Sequence, residues 1–157
     1  VTEPRLTHVD ETGAARMVDV SAKPDTVREA IASGRVLVAP EVVRLLRAEG
    51  LPKGDALGTA RIAGILAAKR TADLVPLCHP LSLSGVTVDL EVTDNAVVIT
   101  AAVRTTGPTG VEMEALTAVS VAALTVFDMV KAVDRAATIT DVRVEAKSGG
   151  SRGDWQR

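Results

Sequence analysis

Aromatic side chains are almost missing from this chain, which has one Phe, one Trp and no Tyr among 157 residues. Binders of single-stranded nucleic acid stack bases on aromatic rings, and sheets that read RNA carry aromatics on the open face. Both roles are therefore disfavoured, and a formal net charge of -2 adds no general attraction to a phosphate backbone. Cys78 is the single cysteine, which rules out an intrachain disulfide and suits a reducing compartment. Neither G-x-G-x-x-G nor G-x-x-x-x-G-K-S/T occurs, so no Rossmann or P-loop nucleotide site is expected. The first residues mix Glu3, Arg5, Asp10 and Glu11 and leave no apolar core for a secretory signal. Asp128 and Lys131 interrupt the longest apolar run short of membrane-spanning length, and the expectation is a cytoplasmic protein with no membrane partner.

What remains is 46% hydrophobic, mostly Ala, Val and Leu. That suffices for one compact domain with a closely packed core of small and branched side chains. Residues 1–22 read as a partly flexible arm with one short strand at Met17 to Val20, 23–147 as a single domain, and 148–157 as a flexible Ser/Gly-rich tail. Pro24 and Asp25 open a short helix through Ala32 that Gly34 closes, and Val36 to Val38 then form a strand. Pro40 starts a helix that Gly50 ends, with Leu51 to Gly54 as a loop. Asp55 caps another helix, roughly Ala56 to Ala72, in which Ile62, Ile65 and Leu66 gather while Gly and Ala keep the surface narrow. Val86, Val88, Leu90 and Val92 alternate with polar residues, Asp94-Asn95 turns, and Val97, Ile99, Ala101 and Val103 return as an antiparallel hairpin. Thr109 and Glu112 match a capping box at the head of a helix running to Arg135, and Ile139, Val142 and Val144 make a last strand. Strand, helices, strand, strand, helix, strand is the order of a ferredoxin-like α+β sandwich, here with one extra helix beside its antiparallel sheet.

The long helix carries the most informative pair. Asp128 and Lys131 stand one turn apart in an otherwise uncharged run from Ala115 to Val133. Residues three apart share a helix face. A helical projection puts Glu114, Thr117, Ser120, Thr125, Asp128, Lys131 and Arg135 on one polar stripe. Such a pair either ties elements together or moves protons; burial and the neighbouring carboxylate would pull the amine's pKa in opposite directions. Lys69 to Pro80 gathers cations, two prolines and the Cys78-His79 dipeptide near a helix end. Its cations can be simple dipole partners, and His79 can be a buried structural histidine or a proton carrier. Cys78 and His79 are adjacent, without the spacing of a zinc site, so no metal centre is expected. His8 belongs to the arm and is expected at the surface. Lys53-Gly54, Lys69-Arg70 and Lys147-Ser148-Gly149-Gly150 set cations beside small residues, the pieces of an anion pocket assembled across the fold.

The segments Met17 to Ser21, Lys53 to Asp55, Thr59 to Gly64, Lys69 to Pro80, Gly110 to Thr117, Asp128 to Ala132 and Ala146 to Gly150 together resemble the cyclic pyranopterin monophosphate synthase family of molybdenum-cofactor biosynthesis. The resemblance runs from about Leu6 to Asp154. It implies a cyclising phosphorus-oxygen lyase that converts 3',8-cyclo-7,8-dihydro-GTP, the product of an upstream radical enzyme, to cyclic pyranopterin monophosphate and pyrophosphate. It also implies a cytoplasmic homohexamer, a trimer of dimers, with the pocket at a subunit interface. Carried over by motif, Asp128 and Lys131 are the catalytic acid/base pair. Leu77, Cys78, His79, Met113 and Glu114 contact substrate, and Lys53, Lys69 and Lys147 are basic positions for the triphosphate. No cofactor is required, and magnesium accompanying the triphosphate stays open. Val130 within the Asp-x-x-Lys motif departs from the family pattern without removing a chemical group. The rival reading is a non-catalytic nucleotide-binding oligomer in which Asp128 and Lys131 only secure the helix.

Overall fold

The computed structural model describes residues 6–48 and 55–157. Five strands make one antiparallel sheet in the order β2-β3-β1-β4-β5, from β1 (Thr26–Leu37), β2 (Leu83–Val92), β3 (Ala96–Gly107), β4 (Thr138–Ser148) and β5 (Trp155–Gln156). Helices α1 (Pro40–Arg47), α2 (Ala56–Ala68) and the single turn α3 (Thr71–Leu74) connect β1 to β2, and α4 (Glu112–Val130) connects β3 to β4. Without β5 and the additional helices this is βαββαβ with β1 and β3 central, the ferredoxin-like arrangement the element order predicts.

The sheet's helix-facing side is lined with small residues. Ala30, Ala32 and Val36 of β1 and Ala101 and Val103 of β3 are fully buried, as are Ala115, Ala118, Val119 and Ala122 of α4. Helix and sheet can approach closely because so few side chains stand between them. Gly34 marks the tightest point: a Cβ there would lie 2.7 Å from Cγ1 of Val119. By length and composition α4 could cross a membrane, contrary to the expectation that no run suffices. Instead it packs on β1, β3, β4 and α2 as the core helix.

Several local expectations are overturned. Residues 25–32 are not a helix, because β1 extends from Thr26 through Gly34 to Leu37 and pairs on both sides. Met17 to Val20 forms no strand; among the described residues, the arm's ladder contact is a bridge between Val9 and Ala15. The helix from Ala56 stops at Ala68, with Lys69 at its C-cap. The buried face of α2 is its small one, Ala60, Gly64, Ala67 and Ala68, while Ile62 and Leu66 are exposed. Thr109 does not cap α4, which begins at Glu112 behind Val111 with no side-chain cap and ends at Val130. The segment read as a flexible tail turns at Gly149 and Gly150 and returns as β5, pairing Trp155 with Lys147. Pro40 does start α1, and Asp55 does cap α2, its Oδ1 accepting from the Gly58 amide at 2.8 Å.

Candidate active site

The first turn of α4 faces the α3–β2 connection across a cavity of about 360 Å³ lined by Leu77, Cys78, His79, Leu81, Met113 and Glu114. Pro76 and Pro80 rigidify that connection. All five residues expected to contact substrate therefore meet at one hollow. A second cavity of about 230 Å³ adjoins it, and His8, His79, Thr109, Gly110, Glu112 and Arg152 line both. His8 is exposed, as expected, yet it forms part of these walls.

The second cavity is cationic, holding Lys23, Arg28, Lys147 and Arg152 against the carboxylate of Glu112. Lys147 Nζ donates to Glu112 Oε1 at 2.8 Å. Arg28 reaches from β1 to donate to the carbonyls of Gly107 and Pro108 at 2.9 and 3.1 Å, fixing the approach to α4. Gly149 and Gly150 both adopt φ near +80°, and a Cβ on Gly150 would strike the Arg28 guanidinium. This glycine turn therefore lies directly on the arginine and keeps the wall thin.

His79 Nε2 lies 2.6 Å from the Val18 carbonyl oxygen. Because that oxygen only accepts, Nε2 carries the hydrogen and donates, tying the arm to the cavity rim. Glu114 was projected onto a polar stripe, but it is only 4% exposed and its Oε2 has no hydrogen-bond partner among the described residues. Burial pushes its carboxyl up to about 7; its own amide offsets this in part, and the Glu112 charge adds to it. Burial, followed by the Glu114 charge, raises the Cys78 thiol as well.

Asp128 and Lys131 lie elsewhere in the protomer. Lys131 Nζ donates to Asp128 Oδ1 at 2.6 Å, and both side chains are about half exposed. Lys131 borders a separate hollow with Phe127, Ala132 and Arg135. At about 1.5 Å per helical residue, the pair stands roughly 21 to 25 Å along α4 from Glu114, so one subunit does not unite them. Lys69 is exposed at the end of α2, outside both cavities, and Lys53 lies outside the described residues. Sequence reasoning missed Arg28, Lys23 and Arg152; Arg28 was hidden in the segment read as a helix, where it stands between Val27 and Glu29 with no local signal of a role.

The MoaC family's sequence profile matches residues 17–150, a span that includes Leu77 to His79, Met113 and Glu114 of the first cavity, Lys23, Arg28 and Lys147 of the second, and the Asp128–Lys131 turn. The cyclic pyranopterin monophosphate synthase of Streptomyces coelicolor is 76% identical over 155 residues, covering 99% of this chain and 91% of that protein. The synthase of a Nocardioides species is 72% identical over 156 residues, with coverage of 98% and 96%. Cyclic pyranopterin monophosphate synthase 2 of Mycobacterium tuberculosis is 60% identical over 152 residues, with coverage of 97% and 91%. A ferredoxin-like sheet, two joined cavities and matches over nearly the whole length lead to one conclusion: the chain belongs to the MoaC family.

Proposed function

We propose that this protein is a cyclic pyranopterin monophosphate synthase of molybdenum-cofactor biosynthesis, acting on 3',8-cyclo-7,8-dihydro-GTP with release of pyrophosphate. The observation that carries the reading is the pair of joined cavities, one setting the apolar Leu77, Leu81 and Met113 beside polar groups that include Cys78, His79 and Glu114, the other cationic around Lys147 and Arg28. The first suits a heterocycle and the second its triphosphate. As the α-phosphorus exchanges its bond to pyrophosphate for one to a substrate hydroxyl, a base must take the hydroxyl proton. Negative charge then grows on the leaving group. Lys147, Arg28, Lys23 and Arg152 face that charge, and Asp128 and Lys131 supply the proton transfers.

The pair reaches the cavities from a neighbouring subunit in a cytoplasmic hexamer built of dimers. Exposed Ile62, Leu66, Leu74 and Leu124 on the helical layer support such burial between copies. Glu112, already paired with Lys147, is the single carboxylate of the cationic cavity among the described residues. These residues do not make a magnesium cage, so any magnesium travels on the triphosphate.

The test is to supply the radical enzyme's product and follow pyranopterin and pyrophosphate by mass spectrometry. Turnover is expected in the wild type. Lys131→Ala and Asp128→Asn should lose it by about 10² to 10⁴-fold, while stability falls by no more than about 1 kcal/mol because the ion pair is exposed. Variants that unfold or lose the assembly while their folded remainder turns over normally would show that Asp128 and Lys131 only secure the structure, whereas a wild type that binds the nucleotide without turnover would be the non-catalytic nucleotide-binding oligomer.

A further inference from the structure

We infer that Glu114 meets the bound ring as a neutral carboxylic acid, donating one hydrogen bond to a ring carbonyl and accepting another from an adjacent N–H. This assigns a state and a ligand edge within the site proposed above and rests on that reading.

The argument begins with what surrounds the side chain. Glu114 is almost wholly buried, and its Oε2 lacks a partner among the described residues. The wall around it includes the apolar side chains of Leu77, Leu81 and Met113. The charged or titratable groups lining the cavity are Glu112 from α4, Cys78 and His79 from the α3–β2 connection, His8 from the arm and Arg152 from the β4–β5 turn. None is hydrogen-bonded to the orphaned oxygen. Of the adjoining cavity's cations, Lys147 is taken by Glu112 and Arg28 donates to the Gly107 and Pro108 carbonyls, while His79 spends Nε2 on the Val18 carbonyl. Arg152 is exposed. Should the partner's Asp128 and Lys131 close over the cavity, they arrive already paired with each other and bring no net charge.

An ionised carboxylate with a buried, unpaired oxygen is costly, and protonation removes the charge. It also turns an acceptor-only group into one donor and one acceptor. The elevated pKa of the carboxyl follows the same physics. A carboxylate would seek the N–H and amino edge of a guanine-derived ring, whereas an acid matches its carbonyl and neighbouring N–H. A neutral Glu114 beside Leu77, Leu81 and Met113 is therefore set to read the lactam edge.

Infrared titration of the assembled wild-type protein tests this without substrate. A carboxylic-acid carbonyl band present at pH 6, lost by pH 9 and missing from Glu114→Gln is expected. In turnover, the wild type should lose kcat/KM by about tenfold per pH unit once this carboxyl ionises, and Glu114→Gln should lack that alkaline limb. The inference is overturned if no acid band exists at pH 6, as when the partner's Lys131 pairs with Glu114 and ionises it. Parallel pH profiles for the two proteins would overturn it equally. If Glu114→Gln does not fold, the wild-type infrared titration still decides, and because it needs no turnover its failure is separate from failure of the proposed activity.

Discussion

At the scale of single residues, His79 shows how one hydrogen bond narrows a role. A histidine between Cys78 and Pro80 could relay a proton through both ring nitrogens, but Nε2 is committed to the Val18 carbonyl, leaving only Nδ1 for a ligand. If the latch on the arm is its main contribution, Gln, whose amide nitrogen can take the place of Nε2, should serve better than Asn. A hydrogen bond is worth about 0.5 to 1.5 kcal/mol net, so His79→Asn should raise KM by up to roughly tenfold, and His79→Gln by less, with kcat changed little by either. Steady-state kinetics on the cyclised substrate checks this. A matched collapse of kcat in both variants would show that the ring carries protons.

Among the elements, the α2–α4 contact is the most demanding. A Cβ on Gly64 would sit 2.9 Å from the Ala118 carbonyl oxygen and 3.3 Å from the Ala122 Cβ. Gly64→Ala would gain about 0.5 to 1 kcal/mol in helix propensity but force two backbones apart, costing about 1 to 3 kcal/mol. Thermal melting should therefore show a net loss of stability. The same close packing explains what the sequence disclosed and what it hid. The hairpin was legible because its inward residues alternate, and they pair directly: Val86 with Val103, Val88 with Ala101, Leu90 with Ile99 and Val92 with Val97. β1 was illegible because its inward positions are Ala30, Ala32 and Gly34, which carry no hydrophobic alternation, and Gly34 reads as a helix stop. There it is a strand residue chosen for the approach of Val119. In the site, Cys78-His79 stood out locally between two prolines, whereas Leu77, Met113 and Glu114 were marked as substrate contacts by the family resemblance alone. The hold of Arg28 on Gly107, 79 residues away, is a product of strand pairing that no local pattern contains.

For the whole molecule, the separation of the Asp128–Lys131 pair from the cavities makes a quantitative demand on assembly. Lys131→Ala retains an intact cationic cavity, and Lys147→Ala retains an intact acid–amine pair. If each site joins one subunit's cavity to its partner's pair, refolding equal amounts of the two inactive variants together should restore roughly a quarter of wild-type activity, since half of random dimers are mixed and each has one complete site. Sites confined to one subunit would restore none.

If the proposed assembly holds, helix α4 serves two sites at once, its first turn belonging to one and its last to another. A single inserted residue between Glu114 and Asp128 would advance one end by about 1.5 Å and turn it by about 100° relative to the other, throwing both reaction centres out of phase in every subunit. The helix is in effect a calibrated axle: its side chains can be exchanged within the limits of packing, but its count of residues is part of the enzyme's gearing.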